Sequence, residues 1–321
     1  MNAPSRRTII AGAAALAATP VRAQQAGLVT IVVPFATGGS TDALARLIQP
    51  GLQARVGRTV IVENKPGAAS SIGANQVARS TPDGSTFLIT FDSHAVIPAL
   101  LAKPALDVEK DLTPIMLVGT APYVLAAAPG RPYKRFADAV AAEKAKAGTI
   151  KYASTGLGTI GHLAMSTLAK QAGVELAHVA YRSGGLAMND ALGGHVDMIC
   201  GSVALLLPQI ADGKLQPLMQ FGRQRLDVMK STETAIEAGF KDFEALAWWG
   251  VFGPKGMSGE TANRVAGDLK AVLSDDKIST RLKETQQMTL ALSGPAELDR
   301  FFKGEVAKWG AVVRETGIKP E

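Results

Sequence analysis

Short apolar runs alternate with amphipathic stretches along almost the whole chain, and this alternation is the feature that most constrains its fold. Strands are predicted at 28–35, 59–63, 86–91, 115–118, 124–127, 150–153, 176–180, 196–199, 215–220, 246–252 and 289–292. Helices are predicted at 41–54, 71–80, 95–101, 136–147, 161–172, 186–192, 203–211, 232–238, 259–273, 277–286 and 295–316. Such alternation is typical of α/β lobes built on mainly parallel sheets.

The first 23 residues have the pattern of an export signal. Arg6 and Arg7 precede a short apolar segment, and the stretch 21–23 ends in a small residue, any residue and alanine. We predict a twin-arginine-like signal that is cleaved after about Ala23, which places the mature chain in the periplasm. An ordinary secretory signal can also carry two arginines and remains the alternative. Roughly 300 residues are left, which suits two lobes better than one core.

Composition excludes several classes of protein. The formal charge of +6 includes three arginines of the signal, and the mature chain has no long basic run, so nucleic-acid binding is not expected. After the signal, no apolar stretch approaches the ~18 residues that span a bilayer. The single cysteine, Cys200, cannot form an internal disulfide, and its apolar surroundings predict a buried side chain.

A glycine-rich turn follows the first predicted strand and precedes the first predicted helix. The segment 34–42 reads PFATGGSTD. A turn of this kind gathers free backbone N–H groups at the positive end of a helix dipole. The segment therefore predicts a binding site for a carboxylate or a phosphate.

Polar residues also follow other strands, and in open parallel sheets ligands bind outside the carboxyl ends of the strands. Two hydroxyl- and glycine-rich loops, one in each half of the chain, indicate a ligand held between two lobes. The candidate ligand-binding residues are Phe35, Ala36, Thr37, Gly38, Gly39, Ser40, Thr41, Asp42, Thr90, Ser93, Ser154, Thr155, Gly158, Thr159, His162, Arg182 and Ser183.

No set of residues typical of catalysis accompanies these loops. The chain has no Gly-x-Ser-x-Gly elbow, no His-x-x-x-His pair and no cysteine–histidine pattern, so neither a catalytic residue nor a metal is expected. The segment 156–161 matches Gly-x-Gly-x-x-Gly, and Arg182 follows the next predicted strand. An exported NAD(P)-linked oxidoreductase that uses this loop is therefore the alternative function, although the motif is weak by itself.

Several other residues have two interpretations each. His162 either contacts ligand or caps and packs the start of its helix, and His178 is either buried or exposed. Asp190 is either solvated or orients a loop. Of Trp248 and Trp249, which are neighbours in one strand, one is expected in the core and the other at a cleft or the surface. The segment 63–68 is expected to lie behind the first glycine loop and brace it.

A series of ordered motifs resembles the Bug-type receptors, the extracytoplasmic solute-binding proteins of tripartite tricarboxylate transporters. The motifs are VPFATGGSTDALAR at 33–46, VENKPGA at 62–68, PDGST at 82–86, GHL at 161–163, VAYRS at 179–183, DALGGHVD at 190–197, EAGF at 237–240, and Trp248 or Trp249 with FGP at 252–254. They extend over essentially the whole mature chain.

The resemblance implies a two-lobed periplasmic binding protein of type II topology, with lobe 1 at 24–124 and 222–321 and lobe 2 at 125–221. It implies a small carboxylate ligand, a permease partner in the membrane and no cofactor, and a monomer is expected. One ligand carboxylate would meet the loop 35–42. The other end would meet the loops 154–162 and 181–183, with 90–93 nearby.

Two positions depart from the family pattern. Gly201 and Ser202 stand where the family often has an aspartate, which favours a ligand without an amino group. Arg182 stands where a lysine is common, and a guanidinium can bind a carboxylate through two parallel hydrogen bonds.

Overall fold

The computed structural model describes residues 27–67, 70–101 and 106–318, so the predicted export signal lies outside the described residues. The strands are β1 (Val29–Val33), β2 (Val60–Asn64), β3 (Thr86–Phe91), β4 (Leu112–Ala127), β5 (Lys151–Ser154), β6 (Ala177–Ala180), β7 (Met198–Ser202), β8 (Gln216–Gln220), β9 (Leu246–Pro254) and β10 (Thr289–Ser293). The helices are α1 (Ser40–Val56), α2 (Ser71–Ala78), α3 (Ile97–Leu100), α4 (Phe136–Ala145), α5 (Ile160–Ala172), α6 (Gly184–Leu192), α7 (Val203–Ala211), α8 (Gly259–Leu273), α9 (Asp276–Gln286) and α10 (Pro295–Thr316).

The strands form two lobes joined through β4. The strand order is β2-β1-β3-β9-β4-β7-β5-β6, and β10 and β8 also pair with β4. Strands β1, β2 and β3 are parallel, as are β5, β6 and β7. Every described pairing of β4 or β9 is antiparallel. The prediction of mainly parallel sheets is therefore corrected to mixed sheets, because the strands that connect the lobes run against the others.

The connection between the lobes is the middle of β4. Its first part, Leu112 to Pro122, pairs with β9, and its second part, Tyr123 to Ala127, pairs with β7 and β8. At the change of partner, the Tyr123 N–H donates to the Ala245 carbonyl at 3.0 Å. The Tyr123 carbonyl accepts from the Phe221 N–H at 2.9 Å, and the Phe221 carbonyl accepts from the Ala245 N–H at 2.9 Å. Three chain segments are thus hydrogen-bonded to one another where they meet.

The lobe 1 sheet is covered by apolar clusters on both faces. Because neighbouring strand residues point to opposite faces, Ile31 and Val32 belong to different clusters. Trp248 and Trp249 are divided in the same way, and both are fully buried. Trp248 packs edge-on against Phe302 of α10, with ring centroids 5.9 Å apart. The interpretation that one tryptophan lies at a cleft or the surface is therefore wrong for this conformation.

Two sequence predictions differ from the described secondary structure. The predicted strands 115–118 and 124–127 are parts of the single strand β4. The predicted helix 232–238 is a turn, because Gln220 N–H donates to Glu233 O and Gln220 O accepts from Ala235 N–H, which binds this segment beside β8. Within the described residues, every helix is too short or too polar to cross a membrane.

Candidate functional site

The loop after β1 exposes backbone N–H groups at the start of α1. Residues 36–39 are exposed, and Gly38 has φ +86°, which favours glycine because it has no Cβ. Gly39 precedes the helix, and no side chain caps the described N-terminus of α1. The first amides of a helix have no intrahelical partner. An anion that reached this loop would therefore meet free donors and the positive end of the helix dipole.

Asp42 holds this loop from the inside. Its buried carboxylate accepts from the Gly38 N–H at 2.9 Å, from Arg46 Nε at 3.0 Å and from Asn64 Nδ2 at 2.9 Å. Burial raises the pKa of Asp42, but the hydrogen bonds from Arg46, Gly38 and Asn64 outweigh it, and the pKa lies below its usual value. The carboxylate is thus occupied by donors from the loop and the helix, and Asp42 holds the loop 36–39 in place.

Asn64, at the end of β2, completes the brace. Its Nδ2 also donates to the Phe35 carbonyl at 3.1 Å, and its Oδ1 accepts from Arg46 Nη2 at 3.0 Å. The prediction that the segment 63–68 braces the first glycine loop is confirmed at Asn64. The pairing of β1 with β2 places Asn64 opposite Val33, directly before the loop.

The end of β3 lies beside the first loop because β3 is parallel to β1. Phe91 packs edge-on against Phe35, with ring centroids 6.3 Å apart. Phe91 also packs against Trp249, with ring centroids 5.1 Å apart. Phe35 and Phe91 are half-buried. The hydroxyls of Thr90 and Ser93 are buried and have no partner among the described residues. The lobe 1 half of the site therefore combines amide donors with aromatic surface.

Asp92 follows β3 and is linked to the connection between the lobes. Its carboxyl accepts from the Tyr123 hydroxyl at 2.9 Å, and both residues are buried. Burial raises the pKa of Asp92 well above its usual value, and the nearby Glu305 raises it further, against hydrogen bonds from Tyr123 and the Ser93 amide that lower it. Burial therefore favours the neutral form of the Asp92 carboxyl.

The lobe 2 half of the site is the loop after β5. Ser154 is fully buried, and its hydroxyl donates to Gly156 O at 3.0 Å and lies 2.7 Å from His178 Nε2. Gly158 N–H donates to His162 Nδ1 at 2.9 Å. His162 therefore caps the loop, and in its neutral form the proton lies on Nε2. The Thr159 hydroxyl donates to Gly156 O at 2.8 Å.

The loop after β6 adjoins the loop after β5, because these strands are parallel neighbours. Arg182 and Ser183 are exposed, and Arg182 forms no ion pair within the described residues. The Ser183 hydroxyl caps α6 by accepting from Leu186 N–H at 3.3 Å. The Tyr181 hydroxyl donates to Asp190 at 2.7 Å, so Asp190 orients this loop.

The two halves approach each other across the lobes. Gly158 has φ +69°, and a Cβ built on it would overlap the methyl groups of Leu100. Leu100 ends α3 in lobe 1, whereas Gly158 lies in the lobe 2 loop. Bare backbone at Gly158 lets the lobes meet this closely.

Within each lobe, the structure therefore gathers the predicted residues at one end of a sheet. Two contributors were not identified from the sequence: Tyr123 as a partner of Asp92, and His178 as a partner of Ser154. Each depends on which strands pair, and no local pattern marks it. In the described part of the chain, no three histidine, cysteine, aspartate or glutamate side chains are grouped as metal ligands.

Comparisons with known proteins agree with this geometry. The pattern of the TctC family, described as the tripartite tricarboxylate transporter family receptor, matches residues 44–318. The periplasmic binding protein BugD has a similar structure (TM-score 0.82, 31% identity, covering 92% of this chain and 99% of that one). So has Rpa4515 of R. palustris, solved with adipate (TM-score 0.84, 27% identity, covering 92% and 98%). MatC of Rhodopseudomonas palustris, solved with bound malate, is also similar (TM-score 0.79, 28% identity, covering 89% and 98%). The chain belongs to the TctC family of tripartite tricarboxylate transporter receptors.

Proposed function

We propose that this protein is a periplasmic receptor that captures a small organic acid between its lobes and presents it to a membrane permease. The observation that carries the proposal is the uncapped start of α1 behind an exposed glycine loop that Asp42 holds in place. Carboxylate ligands in two similar structures, adipate and malate, support the same ligand class for this chain. The class comprises di- and tricarboxylates and aromatic carboxylates.

Binding begins at lobe 1. The ligand carboxylate accepts hydrogen bonds from amides of the loop 36–39 other than that of Gly38, which Asp42 already accepts, and from the first turn of α1, where neutral donors and the helix dipole stabilise negative charge. Hinge motion at the meeting of Tyr123, Phe221 and Ala245 then brings lobe 2 over the ligand. Arg182, exposed and without an ion pair among the described residues, supplies positive charge to the second end of the ligand.

The division of β4 supports lobe limits close to those expected from the sequence, 24–124 with 222–321 and 125–221. The partners of β4 change between Pro122 and Tyr123, and the return crossing follows Phe221. We further propose that the signal is removed after about Ala23, that the receptor is a monomer, and that it needs no cofactor.

The proposed role is binding without catalysis. The Gly158 amide already donates to His162, which leaves one donor fewer in the loop 156–161 for a dinucleotide phosphate. The family match favours the receptor over the oxidoreductase.

A thermal-shift screen tests the proposal. Mono-, di-, tri- and aromatic carboxylic acids are added to the mature protein, and at least one should raise its Tm, because a ligand that binds only the folded state stabilises it. Calorimetry then compares Thr41→Ala and Arg182→Ala with the control Arg79→Ala, an exposed arginine at the end of α2. The first two variants should weaken binding and the control should not. A screen in which no acid changes the Tm contradicts the proposed function.

A further inference from the structure

Two histidines of lobe 2 form a closely stacked pair beside the ligand loop. The rings of His162 and His178 have centroids 3.8 Å apart and planes inclined by 8°. Tyr152 extends the stack on the other side of His178, with centroids 5.0 Å apart. His162 belongs to the first turn of α5, and His178 belongs to β6, so the stack joins two elements that flank the loop.

Each histidine holds a different end of the loop. His178 Nε2 lies 2.7 Å from the Ser154 hydroxyl, and His162 Nδ1 accepts from the Gly158 amide at 2.9 Å. Between these points Ser154 and Gly156 are bonded to each other. The conformation of residues 154–158 therefore depends on both imidazoles.

We propose that His178 is a positioning residue that holds the 154–158 loop in its binding geometry, and that it does so only while His178 and His162 are both neutral. The inference rests on the proposed function, because the loop is a ligand loop only if that function holds. The consequence is a receptor whose lobe 2 half loosens and releases its acid when the surroundings turn acidic.

The chemistry of the contacts gives the direction of the effect. A protonated His162 carries a hydrogen on Nδ1, which then faces the Gly158 N–H, so two donors meet and the bond is lost. A second proton on His178 would place two positive rings face to face at 3.8 Å. Burial lowers the pKa of each histidine to about 4, and the charge of His162 lowers that of His178 further. Both rings are therefore neutral at pH 7.

The other titratable groups around the stack do not change this direction. Tyr152 of β5 and Cys200 of β7 are buried, and burial raises the pKa of each, so both stay neutral over the acid range. Beyond β6, Tyr181 is paired with Asp190, and Arg182 is exposed. Within the described residues, burial and the neighbouring ring are the causes that lower the two histidine pKa values. Because both pKa values lie below the free value of 6.5, the neutral stack stabilises the loop 154–158 fully above pH 6.5. This stabilisation is lost as the pH falls towards 4.

The first test needs no ligand. Nitrogen NMR of the histidine rings and hydrogen exchange of the Gly158 amide are followed from pH 7 to pH 4 in the mature protein. We expect His162 to carry its proton on Nε2 at pH 7 and both rings to titrate below pH 5. The protection factor of Gly158 should fall by about tenfold or more with this titration. Histidines that titrate near pH 6.5 while Gly158 keeps its protection overturn the proposal.

The second test separates the stack from the hydrogen bond. His178→Phe keeps a ring but loses the bond to Ser154, and His178→Gln keeps an amide near Nε2 but cannot titrate. His195→Gln is the matched control, since His195 is exposed and precedes β7 at the opposite end of the sheet. Affinities for adipate and malate are measured by calorimetry at pH 7 and at pH 4, where the histidines titrate.

H178F should bind about tenfold more weakly than the control at pH 7, and H178Q should recover most of that loss. H178Q should also lose less affinity between pH 7 and pH 4 than the control, and protonation of the acid itself cancels in this comparison. Control-like affinity and pH dependence in both variants overturn the proposal. If neither acid binds at pH 7, the affinities are measured with the acid that raises the Tm in the screen, and the ligand-free test decides the role of His178 in either case.

Discussion

Replacing Asp42 by asparagine should lower both the free energy of unfolding and the affinity for ligand, because the carboxylate holds the loop 36–39, which we propose binds the ligand. Asparagine keeps one acceptor oxygen, but it presents an NH₂ group where Asn64 or Gly38 now donates. At least one buried donor loses its partner. The contact with Arg46 adds little, since 48% of the arginine side chain is exposed and such pairs are screened by solvent.

The expected loss of stability follows from the remaining contacts. A hydrogen bond to a charged group contributes about 1.5–3 kcal/mol, so D42N should lose about 2 kcal/mol of unfolding free energy. For a chain of this length, that corresponds to a decrease in Tm of about 4 °C. In D42N the ligand must also order the loop 36–39 when it binds. Most of the ~2 kcal/mol is then subtracted from the binding free energy, which weakens affinity by about tenfold to thirtyfold.

Asp138→Asn is the matched control. Asp138 also accepts two backbone N–H groups, those of Lys134 and Arg135, but it does so at the start of α4 in lobe 2. Differential scanning fluorimetry gives the stability and calorimetry gives the affinity for the acid identified by thermal shift. D138N should bind as the wild type does.

The pH dependence of D42N gives an independent check. The folded pKa of Asp42 lies below its free value of 3.8, so its stabilisation is complete well above pH 3.8 and is lost as the pH falls below it. The stability difference between wild type and D42N should therefore be constant near neutral pH and shrink below pH 3.8. A D42N variant with reduced Tm but unchanged affinity would refute the argument that the brace serves binding.

Three further predictions concern closure, the inter-lobe connection and a structural control. Gly158→Ala should reduce affinity by about tenfold or more, because its Cβ would meet Leu100 where the two lobes approach each other. Leu100→Ala should restore part of the affinity, and unchanged calorimetry in G158A would contradict this inter-lobe contact. Tyr123→Phe removes the hydroxyl that donates to the buried Asp92 carboxyl and should cost about 1–3 kcal/mol in urea unfolding, whereas an unchanged midpoint would argue against that bond. The Glu143 carboxylate accepts the backbone N–H groups of residues 148–150, so Glu143→Gln should lower the Tm without altering affinity. An altered affinity would contradict the proposal that the ligand binds only between the lobes.

Much of the fold can be predicted from the sequence because the alternation of apolar runs and amphipathic stretches is a local signal. The single strand β4 could not be predicted, since Pro114, Gly119 and Pro122 interrupt its pattern and only pairing with β9 and β7 keeps it continuous. The predicted helix 232–238 failed for a related reason. Its backbone pairs beside Gln220, and tertiary contact overrides helix propensity there.

The candidate site could be proposed from the sequence where glycine and hydroxyl residues follow a strand. The loops 35–42 and 154–159 carry that local signal, and the parallel strands bring them to the expected sheet ends. The partners of those loops were not predictable. The contact of Tyr123 with Asp92, and that of His178 with Ser154, depend on strand order and side-chain direction.

The central claim is that the carboxylate charge of a small acid is what the receptor recognises. Calorimetric titration of the mature protein with malate and adipate, each against its uncharged diamide, tests this most directly. The account predicts saturable binding of at least one acid and no measurable binding of the corresponding diamide. A diamide that binds as tightly as its acid, or protein that binds neither these two acids nor any acid of the thermal-shift screen, would contradict it.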